Sequence, residues 1–374
     1  MTPRIAHVFP RSPFLSFTAD VFDEAVPGAN HFFVLGQPAP GEAAGLPEGP
    51  EYRWITPDAA GAEVIAGEVA ASDIAIFHSV GAYAARILAG APQSVVSVWS
   101  GWGGDYYGRN TAPNAGLLAP LTRRAVTHRV EWPYATLAAL RLLRANRPVA
   151  AAARAADVFS APIPDDLAVF RRRFPRFRGR YAQLNYASLE DSFTLSASAV
   201  DGDDILVGNS AAPTNNHLDV LTTLKRFHTA GRRVITPLSY GPQAYADVVV
   251  AEGTRLFGED FVPLREFMPL NDYQDVIAGC GVVVMGQRRQ QAIGNVAAAL
   301  WGGAHVLMDS RSPLYRFLAA RGATVTALSD VTELPARRVS DAERTANIEL
   351  LEEFWGRKTV VANIRALVGS VTAR

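Results

Sequence analysis

The segment from Val282 to Asp309 constrains the fold more than any other part of the sequence. A β-branched apolar run, Val282–Met285, leads into a polar stretch, Gly286–Gln291, which is followed by an Ala-rich segment and a second apolar run, Ala304–Met308. This order predicts a strand, a loop, a helix and a strand, which together form the βαβ unit of a parallel sheet.

The polar loop of this unit is the first candidate ligand site. In parallel sheets ligands bind beyond the carboxyl ends of the strands, where this loop and the first helical turn lie. Arginine and glutamine side chains beside a helix N-terminus, itself partly positive, suit a phosphate or diphosphate. Simple solvation remains an alternative for Arg288, as does helix capping for Gln290 and Asn295. The candidate residues are Gly286, Gln287, Arg288, Arg289, Gln290, Gln291, Gly294 and Asn295.

Composition restricts the class of protein and its partners. A chain of 374 residues, 49% of them hydrophobic and 19% charged, fits two globular domains. Equal counts of 36 basic and 36 acidic residues give no global field to attract nucleic acid, so none is expected as a partner.

The expected compartment is the cytoplasm. The single cysteine, Cys280, has no partner for an internal disulfide, which favours a reducing environment. Neither a signal peptide nor an apolar run approaching the ~20 residues of a membrane span is visible. Peripheral contact with the inner face of the membrane stays open.

The first half of the chain alternates short apolar runs with helix-length segments. That pattern is typical of parallel strands joined by crossovers, as in a Rossmann-like domain. The predicted strands are Arg4–Phe9, His31–Leu35, Ile74–Phe77 and Ser94–Trp99, and the predicted helices are Thr18–Ala25, Gly61–Ala71 and Ala82–Leu88.

A glycine- and aromatic-rich loop, Ser100–Gly108, directly follows the last of these strands and forms the second candidate site. Its glycines let the backbone approach a ligand, and its aromatic rings can stack on one. The residues expected to bind an acceptor are Trp102, Gly103, Gly104, Tyr106 and Tyr107.

Three titratable residues are candidates for the acceptor chemistry. Asp105, in the aromatic loop, could have a raised pKa and take the acceptor hydroxyl proton as a general base, or it could serve the loop structure or bind the acceptor. His78 is a candidate contact to the acceptor or to a diphosphate. His7, a lone histidine in a predicted strand, is predicted to be a core residue whose ring nitrogens are hydrogen-bonded.

Two basic regions could contact anionic groups. Leu117–Arg154 combines apolar residues with Arg123, Arg124, His128, Arg129, Arg141, Arg144, Arg147 and Arg154 at roughly helical spacing. It predicts an amphipathic helix pair with either a solvated basic face or a surface for anionic lipid. Arg171–Arg178 alternates Phe and Arg, and fits a solvated turn, a phosphate site or a membrane contact equally well.

A polar stretch, Ser188–Asp203, separates the halves and predicts an interdomain linker. The predicted boundaries are 1–190 for the first domain, 191–203 for the linker and 204–374 for the second domain, whose last helix can pack back on the first. Asp201 to Asp204 contain an Asp-x-Asp pattern, but it precedes a strand instead of following one, and we expect no metal there.

The second domain opens with a strand, Asp204–Val207, followed by Gly208, Asn209 and Ser210 and by the helix-entry sequence Thr214–His217. This combination predicts a phosphate-binding loop built mainly from backbone N–H groups. Further predicted strands are Val234–Thr236, leading into the loop Pro237–Gly241, and Leu264–Met268, with helices at Ala244–Ala251 and Asp272–Gly279. Two Rossmann-like α/β domains with parallel sheets facing a central cleft describe the GT-B architecture.

Five motifs resemble the transferases that add 4-acetamido-4,6-dideoxygalactose (Fuc4NAc) in enterobacterial common antigen synthesis. Ile205–Ser210 with Asn216-His217 is similar to that family's ILVGNS…N-x-H segment, and Arg289–Gly294 to its RQQGIG, with Ala292 as the departure. The other matches are Trp102–Tyr107 to WG-x-D-x-Y, Phe77-His78 to a strand-ending Phe-His, and Pro237–Tyr240 to Pro-x-x-Tyr.

The resemblance implies a metal-independent glycosyltransferase that moves a sugar from a nucleotide diphosphate, dTDP being favoured, to a glycan on a polyprenyl diphosphate. Arg289 would stabilise the leaving diphosphate, because arginine and helix N–H dipoles can balance the growing charge. The expected catalytic residues are Asp105, Arg289 and His78. The expected donor-binding residues are Gly208, Asn209, Ser210, Pro237, Ser239, Tyr240, Gln290, Gln291, Gly294 and Asn295. A nucleotide-sugar epimerase or hydrolase, or a non-catalytic binding subunit, remains an alternative.

Overall fold

A computed structural model describes residues 2–39, 42–107, 116–127, 147–192, 199–227, 231–335 and 338–372. Gly108 of the aromatic loop, His128, Arg129, Arg141 and Arg144 of the predicted helix pair, and residues 193–198 of the predicted linker lie outside these ranges.

The chain divides into two compact units. The first comprises Met1–Thr111, Ala138–Ser192 and Phe354–Arg374, and the second comprises Ala112–Leu137 and Phe193–Glu353. The chain therefore leaves the first unit twice and returns to it twice.

The first unit is built on a seven-stranded sheet in the order β3-β2-β1-β4-β5-β6-β7, with every pair of neighbours parallel. The strands are β1 Ile5–Pro10, β2 Asn30–Leu35, β3 Glu51–Ile55, β4 Ile74–His78, β5 Val96–Ser100, β6 Val158–Ser160 and β7 Arg180–Tyr181. The central strands β1 and β4 are buried on both faces, as their continuous apolar sequences require.

The helices of this unit cover both faces of the sheet through apolar stripes. They are α1 Leu15–Ala25, α2 Ala59–Ala70, α3 Ala82–Ala89, α5 at residues 147–155, α6 Asp166–Arg173, α7 Leu189–Ser192 and α14 Arg357–Thr372. The C-terminal helix α14 packs Val360, Ile364 and Leu367 into the core beside Phe22 of α1. Its first residue, Arg357, anchors it through ion pairs of 2.6–2.7 Å with Asp20, Glu24 and Asp191.

The second unit contains a six-stranded parallel sheet in the order β10-β9-β8-β11-β12-β13. Its strands are β8 Ile205–Val207, β9 Val234–Pro237, β10 Phe261–Leu264, β11 Val282–Met285, β12 His305–Met308 and β13 Val325–Ala327. Its helices are α4 Pro120–Thr127, α8 His217–Leu224, α9 Gln243–Phe257, α10 Leu270–Ala278, α11 Ile293–Gly302, α12 Pro313–Ala319 and α13 Asp341–Trp355.

One predicted strand of the second unit is wrong. The strand expected at Leu264–Met268 is β10, Phe261–Leu264, which contains Pro263. A proline normally argues against a strand because it has no N–H to donate, but β10 is the edge strand of its sheet, where that loss is tolerated. The strand β3 was missed altogether, because its charged, partly exposed sequence EYRWI reflects another edge position.

Each sheet has one point at which the strand order reverses. In the first unit this switch point lies between β1 and β4, and in the second unit between β8 and β11. In open α/β sheets ligands bind at such a crevice, outside the carboxyl ends of the strands. The candidate sites below lie at these two points.

Candidate active site

Two loops flank the switch point of the second unit, one after β8 and one after β11. The first begins at Gly208, whose φ of +71° is a conformation that side-chain-bearing residues rarely adopt. A Cβ at this position would lie 2.8 Å from Nε2 of the buried His217. Glycine therefore allows the chain to turn sharply from the strand into the loop.

Asn215 joins the two loops. Its Nδ2 donates to the carbonyl oxygens of Ser210, at 2.9 Å, and Ala212, at 3.2 Å. Its Oδ1 accepts from the backbone N–H of Asn209, at 3.3 Å, and from Nε2 of Gln287, at 2.5 Å. This fully buried amide fixes the Gly-Asn-Ser loop against the loop that follows β11.

Four of the predicted donor-binding and catalytic side chains form one hydrogen-bonded cluster. Gln291 donates through Nε2 to Oδ1 of Asn209, at 3.0 Å, and its Oε1 accepts from Nε of Arg289, at 2.7 Å. The same Oε1 accepts from the hydroxyl of Thr214, at 2.8 Å. Asn209 donates to the hydroxyl of Tyr240, at 3.3 Å, and the Tyr240 side chain is 58% exposed. We call Asn209, Thr214, Tyr240, Arg289 and Gln291 the amide–arginine cluster.

The N-terminus of α11 lies directly after this cluster in the chain. Its N-cap residue is Ala292, with a φ of +59°, and no side chain caps the helix. Gln290 and Asn295 therefore do not cap this helix. Gly294 occupies the first turn, where backbone N–H groups lack intrahelical acceptors and favour an anion.

Other predicted donor residues are held by the protein itself. Asn295 donates through Nδ2 to the Tyr273 hydroxyl, at 2.5 Å. Ser210 is 2% exposed and bonds to Asn215. Pro237 ends β9, and Ser239 follows it in the loop that carries Tyr240. Gln290 is 2% exposed, and its Oε1 contacts no hydrogen-bond donor among the described residues.

Arg288 is not solvated, contrary to one reading of the sequence. Its side chain is 9% exposed and pairs through Nε with Asp309, at 2.8 Å. It also donates to the carbonyl oxygen of Leu118, at 3.2 Å. Burial alone would raise the pKa of Asp309, but the guanidinium groups of Arg311 and Arg288 outweigh that effect and lower it.

A cavity of about 720 Å³ opens beside Arg288 at the carboxyl ends of β11 and β12. Its charged lining residues are Asp219, Arg226, Arg288, Asp309 and Arg311. Of these residues the sequence singled out Arg288, and it did not single out Asp219, Arg226, Asp309 or Arg311. Asp309 could have been found, because it directly follows the apolar run that became β12.

Asn216 connects this region to the segment before α4. Its Nδ2 donates to the carbonyl oxygens of Gly286, at 2.7 Å, and Leu117, at 3.0 Å. Its Oδ1 accepts from the backbone N–H of Ala119, at 2.7 Å. Its φ of +56° is left-handed, a conformation that asparagine tolerates better than most residues. The side chain therefore joins the loop after β11 to the segment before α4.

The first unit presents the aromatic loop at the carboxyl end of β5. The Asp105 carboxylate accepts three N–H groups, from the Trp99 indole at 2.7 Å, the Trp102 backbone at 3.0 Å and the Val80 backbone at 3.2 Å. Burial raises the pKa of Asp105, and these donors oppose the rise. With its oxygens so engaged, Asp105 has a geometry that favours the loop-structural alternative over a general base.

The two tyrosines of this loop share a carboxylate that the sequence did not single out. The hydroxyls of Tyr106, at 2.5 Å, and Tyr107 both donate to Asp166, which is fully buried at the start of α6. Burial raises the pKa of Asp166 to about 7, against the effect of the two hydroxyls. These contacts place Tyr106 in the core. They also anchor the part of the loop that follows Gly103 and Gly104.

His78 ends β4 at the switch point of the first unit and is 2% exposed. His7, predicted to be a core histidine, is fully buried, and its Nδ1 lies 3.1 Å from Nε2 of His78. Its other ring nitrogen lies 3.1 Å from Oδ1 of Asn30. Burial lowers the pKa of His7 to about 3 and that of His78 well below 6.5, so both rings are neutral.

The run Arg171–Arg178 precedes β7 and the acidic run Asp201–Asp204 precedes β8, so both lie at amino ends of strands and not at the carboxyl ends, where the candidate sites are. In the run Arg171–Arg178, Phe174 and Phe177 are buried, whereas Arg171, Arg172 and Arg176 are exposed. Of the acidic run, Asp204 precedes β8 and pairs with Arg233 at 2.5 Å. In the described part of the chain, no helix is long and apolar enough to cross a membrane, and no group of three or more His, Cys, Asp or Glu residues could hold a metal ion.

Solved structures with the same architecture identify the class of fold. The trehalose 6-phosphate synthase of Burkholderia multivorans is 12% identical and covers 99% of this chain and 100% of its own, with a TM-score of 0.63. The N-terminal domain of Candida albicans trehalose-6-phosphate phosphatase is 10% identical, covers 100% and 97%, and has a TM-score of 0.64. Anabaena HepE, solved with UDP, is 13% identical, covers 99% and 96%, and has a TM-score of 0.57. The fold is that of the GT-B glycosyltransferases.

A sequence profile of the family described as "4-alpha-L-fucosyltransferase glycosyl transferase group 56" matches residues 147–348, more than half of the chain. The chain belongs to this glycosyltransferase family. The resemblance to the Fuc4NAc transferases that the motifs predicted is thereby confirmed, and the protein is a glycosyltransferase.

Proposed function

We propose that the protein transfers a deoxy-acetamido sugar from a nucleotide diphosphate, with dTDP favoured, to a glycan carried on a polyprenyl diphosphate. The observation that carries this proposal is the amide–arginine cluster at the switch point of the second unit, beside an uncapped helix N-terminus. HepE, which shares the fold, was solved with UDP and with UDP-glucose.

The donor diphosphate is assigned to the cluster and to the first turn of α11. Breaking the bond between the anomeric carbon and the diphosphate leaves its electron pair on the nucleoside diphosphate. The Arg289 guanidinium and the helix N–H dipoles oppose that growing charge, which lowers the barrier. Arg289 is held at a defined position because Gln291 accepts from its Nε, so little reorganisation accompanies the reaction.

Two neighbouring residues are assigned to the nucleobase and the sugar of the donor. The exposed ring of Tyr240 offers an aromatic face for the nucleobase, and its hydroxyl is fixed by Asn209. Gln290, with a buried Oε1 that contacts no donor in the described residues, offers an acceptor for a sugar hydroxyl.

The acceptor is assigned to the first unit, at the aromatic loop and His78. A polyprenyl carrier would hold the acceptor at an anionic membrane surface. The reaction would take place at the cytoplasmic face.

The donor assignment can be tested by calorimetric titration of the purified protein with dTDP, UDP and GDP, first without metal and then with magnesium. We expect micromolar binding that prefers dTDP and does not require the metal. Arg255→Ala, which removes an exposed guanidinium from α9 that pairs with Glu252, is the control and should bind like the wild type. A preference for UDP or GDP would overturn the dTDP assignment but keep the site, and no binding of any of the three would overturn both.

A further inference from the structure

The rings of His78 and Trp102 lie next to each other at the switch point of the first unit, and each carries a buried polar atom. Nδ1 of His78 and Nε1 of Trp102 are both buried, and neither contacts a hydrogen-bond partner among the described residues. The two rings are in an edge-on arrangement, with their centroids 6.3 Å apart. A buried polar atom left without a partner costs about 1–3 kcal/mol, so each of these two atoms is expected to bond to a ligand group or to a water.

The character of His78 Nδ1 follows from a chain of hydrogen bonds that begins at Asn30. Nδ2 of Asn30 donates to the carbonyl oxygens of Phe22, at 3.1 Å, and Val26, at 2.9 Å. Because a carbonyl oxygen only accepts, these two contacts fix the orientation of the Asn30 amide. Its Oδ1 therefore faces His7, and the Nε2 atom of His7 must carry the proton that it accepts.

The tautomer of His7 in turn fixes the tautomer of His78. A neutral imidazole with a proton on Nε2 has a bare lone pair on Nδ1. His7 Nδ1 thus accepts, and Nε2 of His78, 3.1 Å away, must donate. His78 in turn is left with a bare lone pair on Nδ1. The amide of Asn30 thereby sets the tautomer of a ring two hydrogen bonds away.

This lone pair and the indole N–H of Trp102 together complement a group that both donates and accepts a hydrogen bond, as a hydroxyl does. A hydroxyl donates its proton to the lone pair and accepts from the N–H with its oxygen, whereas a diphosphate oxyanion has no proton to donate to the lone pair. The surroundings are aromatic: Phe9 lies 4.6 Å from His78, and Phe14 lies 5.8 Å and Tyr186 5.3 Å from Trp102, measured between ring centroids.

We propose that His78 Nδ1 and Trp102 Nε1 form a subsite for one hydroxyl group of the sugar acceptor. The identity of the ligand as an acceptor rests on the proposed function, but the tautomer does not. His78 is then a recognition residue for a neutral hydroxyl, not a contact to the diphosphate. Asn30 and His7 are positioning residues that act through it.

Two substitutions at His78 separate the roles of its ring nitrogens. Glutamine places its amide near the position of Nε2 and can keep the contact to His7, but it loses the group at Nδ1. Asparagine places its amide near Nδ1 and gives up the contact to His7. We expect His78→Gln to raise the apparent KM for polyprenyl-diphosphate-linked glycans, supplied as a dilution series of a membrane lipid extract, about ten-fold, with the donor KM unchanged. His78→Asn should raise it less.

The opposite ranking, in which glutamine restores the wild-type KM and asparagine does not, would show that His78 acts only through its contact to His7. A wild-type protein with no transfer activity would contradict the proposed function instead. In that case the tautomer is still measured by correlating ring protons with ring ¹⁵N nuclei in the free protein. The proposal requires His78 to carry its proton on Nε2, and a proton on Nδ1 would overturn it. The Trp102 indole N–H resonance should shift when the lipid extract is added, and an unchanged resonance would also contradict the subsite.

Discussion

Arg289→Ala is expected to lower kcat about 10²- to 10³-fold, or about 3 kcal/mol of transition-state stabilisation, with a much smaller effect on the KM for the nucleotide sugar. The guanidinium stands beside the N-terminus of α11, with its Nε bound to Gln291, and balances charge that appears only when the diphosphate leaves. The effect therefore belongs to the rate, which steady-state kinetics of donor consumption measures directly.

The control variants for Arg289 separate charge from geometry. Arg289→Lys keeps the positive charge but cannot reproduce the planar fork, so it should recover only part of the lost rate. Arg255→Ala removes a guanidinium that pairs with Glu252 on α9 and should leave kcat unchanged. Wild-type turnover in Arg289→Ala would remove this residue from the mechanism.

Asn216→Ala is expected to destabilise the second unit by about 4 kcal/mol. The change leaves the carbonyl oxygens of Gly286 and Leu117 and the N–H of Ala119 without their partner, at about 1–3 kcal/mol each in buried surroundings. It also places alanine at a φ of +56°, which costs about 1 kcal/mol. Native-state hydrogen exchange of peptides that cover β8 and β11 measures the free energy of opening.

Asn216→Gly isolates the backbone contribution, because glycine adopts the left-handed conformation without strain. It should be about 1 kcal/mol more stable than Asn216→Ala, while it lacks the same three hydrogen bonds. If Asn216→Ala changes the opening free energy of β8 and β11 by less than about 1 kcal/mol, the side chain does not join these segments as described.

The parts of the fold that follow from hydrophobic pattern could be predicted from the sequence. Strands β1, β4, β8 and β11 are buried on both faces, and their continuous apolar runs have few other interpretations. Edge strands could not be recognised in the same way. In β3 and β10, exposed charge and a proline are tolerated because one side of each strand has no neighbour.

The candidate site could be predicted where residues end a strand, as at His78, or directly follow one, as at Gly208 and Asn209. Residues whose role depends on distant partners could not be predicted in this way. Asp166 lies some 60 positions from the tyrosines that it binds, and Asn216 nearly 100 from Ala119. The sequence around Asn30 does not indicate its role. Asn30 fixes the tautomer of His78 only through the ring of His7, and these three residues are distant from one another in the chain.

The central claim is that the protein transfers a sugar from a nucleotide diphosphate to a lipid-linked glycan. It is tested most directly by mass spectrometry of the products after the protein is incubated with a dTDP-linked deoxy-acetamido sugar and polyprenyl-diphosphate-linked glycans. The account predicts an acceptor heavier by one sugar residue and an equal amount of released dTDP. Free sugar or an epimerised donor, with the acceptor mass unchanged, would contradict it.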